Sequence, residues 1–92
     1  MGVHRVMVVG GLSNKIDYVD SHLLFEFTLN KRVRARFYLD LDTQEKSSFP
    51  QEVGQLTELF LVFFRNHRER LFDEGVRLNL VEFVRNSFDS LG

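Results

Sequence analysis

Four side chains that could bind a divalent metal ion lie near the two ends of one alternating segment of the sequence: Asp20, His22, Asp40 and Asp42. Imidazole and carboxylate groups are common ligands of zinc and calcium. Their spacing matches no specific metal motif, however, and a surface His–Asp pair is the better interpretation. His67 lies on an apolar helical stripe, without a nucleophile or second acid placed to work with it. We therefore expect no metal, no cofactor and no enzymatic activity.

Gly10 and Gly11 follow a valine-rich segment, as the glycines of phosphate-binding loops do. The further glycine of G-x-G-x-x-G is missing, and Lys15 does not stand in a G-K-[ST] context. A simple turn is the better interpretation. Cysteine is absent, which excludes disulfides, thiolate zinc sites and a thiol nucleophile.

The most promising binding residues are Arg34, Arg36 and Tyr38, which alternate with apolar residues and so share one face of a strand. Guanidinium groups bind carboxylates and phosphates, and a tyrosine ring can stack on a base. Asp40 and Asp42 on the same face argue against a continuous phosphate track. Three interpretations stay open: a surface for an acidic protein partner, a nucleic-acid surface, and a solvated face that discourages aggregation.

The segment from residue 23 to residue 42, which contains these arginines, alternates apolar and polar residues twice and predicts two antiparallel strands. A three-residue loop, residues 30–32, keeps all the apolar side chains on one face, although Arg32 is unfavourable at its last position. The register that this loop predicts pairs Leu29 with Val33, Phe27 with Ala35, Phe25 with Phe37, Glu26 with Arg36, Thr28 with Arg34, Leu24 with Tyr38 and His22 with Asp40.

Before the hairpin, the valines of residues 3–9 favour another strand, and whether it pairs with the hairpin is left open. Residues 12–15 are interpreted as a loop, and residues 16–22 are ambiguous between loop and extended chain. After the hairpin, residues 43–48 are also interpreted as a loop.

Two helices are predicted in the second half of the chain. The first covers about residues 49–74, with Ser48 as its cap and Gly75 as its end. The second covers about residues 80–90, with Asn79 as its cap. Strands followed by helices predict one α+β domain over residues 1–92, with a small antiparallel sheet packed on the long helix and the short C-terminal helix.

The long helix contains six consecutive apolar residues, 59–64, which would cover most of its circumference. A small sheet and one short helix could bury them, or Phe60, Phe63 and Phe64 could form a homodimer seam or a docking surface. The function that we predict is a small protein-interaction module, self-associating through this helix. The alternatives are a nucleic-acid-associated regulator that uses Arg34, Arg36 and Tyr38, and a phage- or plasmid-type inhibitor of a host protein.

The 92 residues carry 12 basic and 13 acidic side chains, a net charge of −1 that gives no global attraction to nucleic acid or anionic membrane. The first residues lack the apolar stretch and cleavage site of a signal peptide, and the longest apolar run is too short to span a bilayer. These features lead us to expect a cytoplasmic protein that does not enter the membrane. No diagnostic motif of a recognised family is present.

Overall fold

A computed structural model describes the backbone of residues 3–9, 12–29 and 33–90, and the side chains of residues 13–28 and 34–89. The strands are β1 (Val3–Val9), β2 (Leu12–Val19), β3 (His22–Leu29), β4 (Val33–Asp40) and β5 (Lys46–Phe49). They are followed by a 3₁₀ segment (Gln51–Leu56), α1 (Thr57–Asn66), a 3₁₀ turn (Arg68–Arg70) and α2 (Glu74–Ser90).

The five strands form one antiparallel sheet in the order β1-β2-β3-β4-β5, so each strand pairs with its neighbour in sequence. Residues 3–9 therefore pair with β2 and not with the predicted hairpin. The helices follow the sheet in sequence and pack on it. The predicted α+β class is confirmed.

The hairpin of β3 and β4 has the register that the alternation predicts. Leu29 pairs with Val33 and Phe25 with Phe37, and the remaining predicted pairs follow, ending at His22 and Asp40. A slip by one residue would have exchanged the apolar and polar faces, so the contrast between the faces was sufficient to determine the pairing. The loop at residues 30–32 and the glycine turn at residues 10–11 lie outside the described residues.

Two strands were not predicted. Residues 12–15, interpreted as a loop, begin β2, which runs to Val19 and pairs with β3 along its whole length. Residues 46–48, also interpreted as a loop, belong to β5, which pairs with β4 from Lys46 to Phe49. Ser48 therefore lies in a strand and caps no helix, and Pro50 takes the N-cap position of the 3₁₀ segment.

The long helix predicted over residues 49–74 is interrupted. Regular α-helix covers only Thr57–Asn66, and the chain leaves helical geometry at His67, whose φ and ψ are −114° and 20°. The ring of His67 forms a hydrogen bond with the carbonyl of Phe63, with 2.8 Å between Nδ1 and the oxygen. This contact occupies a backbone acceptor at the end of the helix.

The second helix begins six residues earlier than predicted, at Glu74 instead of residue 80. Asp73 caps it, because its Oδ1 accepts a hydrogen bond from the Val76 amide at 3.1 Å. Gly75 and Asn79 consequently lie inside the helix and neither ends nor caps one.

The core lies between the helices and one face of the sheet, which we call the inner face. Its centre is Phe25, whose ring contacts the rings of four other phenylalanines at centroid distances of 5.2–6.1 Å: Phe27, Phe37, Phe60 and Phe64. The second helix joins this cluster through Phe83 and Phe88, which contact Phe60 and Phe27. Edge-to-face and tilted ring pairs of this kind add to the free energy that area burial provides.

Candidate protein-interaction site

The other face of the sheet, which we call the outer face, carries the predicted binding residues. Along β4, Arg34, Arg36 and Tyr38 are exposed, whereas Ala35 and Phe37 between them are buried. Successive side chains of a strand point to opposite faces, so the three predicted residues project in a row, about 6.6 Å apart. The structure thus brings together these three residues, as the sequence predicts.

A fourth residue joins them from the neighbouring strand. Pairing of β5 with β4 places Phe49 directly opposite Arg36, and the Arg36 guanidinium carbon lies 5.6 Å from the centre of the Phe49 ring. Phe49 is 62% exposed and Tyr38 is 45% exposed. We call Arg34, Arg36, Tyr38 and Phe49 the outer patch.

The charges next to the outer patch are partly compensated. Lys15 of β2 lies 3.7 Å from an oxygen of Asp17 and 3.8 Å from an oxygen of Glu26. This group of one base and two acids lies on the β2 and β3 side of the outer face. The positive charge of the outer face is therefore concentrated on β4, at Arg34 and Arg36.

A groove of about 790 Å³ opens beside Tyr38 at the end of the sheet. Its apolar lining includes Val19 and Leu24, and its rim includes His22 and Asp40. The volume lies in the range of sites that bind small ligands. Since Tyr38 belongs to both, the groove extends the outer patch towards the turns that follow β2 and β4.

Asp40 on the groove rim organises the turn after β4. Its Oδ1 accepts hydrogen bonds from the amides of Asp42 at 2.9 Å and Thr43 at 3.0 Å, and its other oxygen lies 3.3 Å from Nδ1 of His22. These contacts, the Thr43 amide foremost, hold the pKa of Asp40 below its usual value. Within the part of the chain that the structure describes, no three His, Asp or Glu side chains are grouped to hold a metal ion.

Asp42 pairs instead with Arg68, at 2.5 Å between the carboxylate oxygen and Nη1. This hydrogen bond lowers the pKa of Asp42 and raises that of Arg68. The pair joins the turn after β4 to the 3₁₀ turn after α1, so its role is structural. The predicted set of four is thus divided: His22 pairs with Asp40, Asp42 pairs with Arg68, and Asp20 lies exposed in the turn after β2.

The three helix residues predicted to bind a partner, Phe60, Phe63 and Phe64, differ in how far they are buried. Phe60 and Phe64 are 0% and 1% exposed and belong to the core. Phe63 is half-buried, and its ring stacks on that of His67 at 4.4 Å between centroids. The apolar side chains that α1 exposes are Leu59 at 46% and Val62 at 45%.

A buried polar contact fixes α2 over the sheet. Arg77 and Asn14 are both buried, and Nη2 of Arg77 donates a hydrogen bond to Oδ1 of Asn14 at 2.6 Å. Asn14 is an inward position of β2, between the edge strand and the hairpin. Sequence reasoning missed this contact, because an asparagine beside Ser13 and Lys15 is typical of a loop.

Sequence reasoning also missed Phe49, because residues 43–48 were interpreted as a loop leading into a helix. A signal was present: Phe49 precedes Pro50, and the residue before a proline is disfavoured in helix and favoured in extended chain. An extended conformation at position 49 would have suggested that a further strand ends there and pairs with the hairpin.

Neither a known protein family, nor a curated protein, nor a solved structure matches this chain. Among the described residues, no helix combines the length and the apolar composition needed to cross a bilayer.

Proposed function

We propose that the chain is a non-enzymatic protein-interaction module whose contact surface is the outer patch with its adjoining groove. The observation that carries the proposal is the exposure of Phe49 and Tyr38 on one sheet face beside Arg36. Aromatic and arginine side chains are the residues that most often dominate the binding energy of protein interfaces. Phe49 is 62% exposed and contributes little to the core, so its ring is accessible to a partner.

The chemistry of the outer patch indicates the kind of partner. Arg34 and Arg36 favour carboxylates, because a guanidinium binds both carboxylate oxygens in one plane. Tyr38, Phe49 and the groove around Leu24 accept apolar side chains. We therefore infer a partner segment that combines acidic and apolar residues.

The test is a titration of the ¹⁵N-labelled chain with a short synthetic peptide of aspartate and leucine residues, followed by amide chemical shifts. The expected shifts fall on β4 and β5 around Arg36, Tyr38 and Phe49, and weaken only moderately at high salt, since apolar contacts are not screened. Shifts confined to α1 around Leu59 and Val62, or no shifts at millimolar peptide, would contradict the proposal.

A nucleic-acid-associated regulator is the second candidate, because bases can stack on exposed rings of a sheet face that also carries arginines. A single-stranded oligonucleotide replaces the peptide in the same titration. Phosphate contacts predict steep loss of binding between low and high salt. Tighter, salt-sensitive binding of the oligonucleotide would favour this candidate over the protein partner.

Self-association through α1 is the third candidate, supported by the exposure of Leu59 and Val62 on one side of that helix. Burial of Phe60 and Phe64 leaves this surface smaller than the sequence predicts. Changing Leu59 and Val62 together to glutamate would lower the solution mass if the helix is the seam, and leave it unchanged if it is not.

A further inference from the structure

The two edges of the sheet differ in how they are protected against pairing with another strand. The β5 edge is four residues long, and Pro50 directly after it has no amide to donate. Lys46 of this strand forms a salt bridge with Glu58 of α1, with 3.0 Å between Nζ and the carboxylate oxygen. Short edge strands, lysines and prolines are the devices by which natural sheets prevent edge pairing.

The β1 edge lacks the short length, the proline and the lysine of the β5 edge, and Arg5 gives it one permanent charge. It is seven residues long, four of them valine, with neither proline nor lysine. Its pairing with β2 is continuous from Val3 to Val9, without a bulge in the register. None of the described strands lies beyond it. One side of its backbone therefore offers a regular row of donors and acceptors to a further strand.

We propose that a second copy of the chain occupies this edge, with β1 pairing antiparallel to β1 of the second copy. A strand that pairs antiparallel with itself is self-complementary, which gives the two-fold symmetry of most dimers. Valine-rich strands suit this pairing, because β-branched side chains pack well across a ladder.

The sequence of β1 also selects a register, with Val6 opposite Val6 of the second copy. This register overlaps the whole strand from Val3 to Val9 and places Arg5 opposite Met7. Centring the pair on Arg5 would shorten the overlap to residues 3–7 and set two guanidinium groups directly opposite each other, which is destabilising.

The dimer would form one sheet of ten strands, because each copy contributes five. Its two-fold axis is perpendicular to the sheet, so both outer patches lie on the same side. The two β4 strands are seven strand spacings apart, or about 34 Å at 4.8 Å per spacing. Two patches on one side allow bivalent binding, which raises avidity without a new contact.

The absence of cysteine allows a direct test by single-cysteine crosslinking. In an antiparallel pair, opposite Cα atoms are about 4.5–5.5 Å apart, within the range that a disulfide spans. Under mild oxidation, Val6→Cys is expected to form a covalent dimer roughly 100-fold faster than the α1 control Val62→Cys at micromolar concentration, because pairing raises the local thiol concentration to the millimolar range.

The register is tested by two further variants, His4→Cys and Val8→Cys. Each alone should crosslink poorly, and their mixture should give a covalent heterodimer. Faster crosslinking of Val62→Cys than of Val6→Cys would overturn the proposal in favour of the helix seam. A monomeric mass for the unmodified chain, together with slow crosslinking of a folded Val6→Cys variant, would overturn it as well.

The crosslinking rates and the solution mass do not depend on the outer patch. A folded chain that is monomeric yet shifts Tyr38 and Phe49 in the peptide titration would remove the dimer and leave the proposed function intact.

Discussion

The two faces of β4 differ in their exposure to solvent. On the inner face, Phe37 and Ala35 are completely buried under the helices. On the outer face, Arg36 and Tyr38 are exposed, although the two sets alternate along the same eight residues. The apolar character of the inner side chains is explained by folding, since their burial provides the stability of a small domain. Folding does not require the exposed rings of Tyr38 and Phe49, which is why we attribute a binding role to them.

The largest expected effect compares a phenylalanine of the core, Phe60 of α1, with one of the outer face, Phe49 of β5. Phe60→Ala should lower the free energy of unfolding by about 3–5 kcal/mol, because it leaves a cavity among the rings of the core. Phe49→Ala should cost less than about 1 kcal/mol, since that ring is largely exposed. Urea unfolding of both variants measures the contrast. Equal losses would show that the outer ring is part of the stabilising structure.

The next effect concerns the polar residue on the inner face. Asn14→Ala removes the acceptor that Arg77 meets at 2.6 Å inside the protein. Loss of an acceptor from a buried donor costs about 1–3 kcal/mol. Ser13→Ala, one residue away and on the other face, is the matched control and should change stability by less than about 0.5 kcal/mol. An Asn14→Ala variant with unchanged stability would mean that the contact with Arg77 does not fix α2.

A smaller effect is the acid sensitivity of the turn after β4. The pKa of Asp40 is lowered in the folded chain, so its ionised form stabilises the fold above the unfolded pKa of about 3.9, and this contribution disappears as pH falls through the folded value. Asp40→Asn should therefore be less stable than the unchanged chain at neutral pH, with the difference closing as the pH falls through the folded-state pKa of Asp40. A difference that stays constant with pH would contradict this role for the Asp40 carboxylate.

The sequence predicted the hairpin well because its two faces differ so clearly. Alternation of Phe25 and Phe27 with Glu26 left a single register that kept the apolar side chains together. That register also placed Arg34, Arg36 and Tyr38 on one exposed face, so three of the four residues of the outer patch were predicted. The class of fold follows from the order of strands and helices.

The remaining elements depend on contacts between distant residues. Asn14 is inward in β2 because it meets Arg77, which lies 63 residues away. The polar residues Ser47 and Ser48 form a strand because β4 offers them an edge. The periodic apolar pattern continues through His67, so periodicity did not show the interruption between α1 and α2. Tertiary context overrode local preference at each of these places.

The most direct test of the outer patch as contact surface compares two pairs of exposed apolar residues. The affinity for the aspartate–leucine peptide is measured in a Tyr38→Ser, Phe49→Ser double variant and in a Leu59→Ser, Val62→Ser double variant, after checking that both unfold like the unchanged chain. We predict that the outer-patch variant loses affinity by about tenfold or more, as removal of interface anchors does, and that the α1 variant binds as before. Unchanged binding by the outer-patch variant, with loss in the α1 variant, would contradict the account.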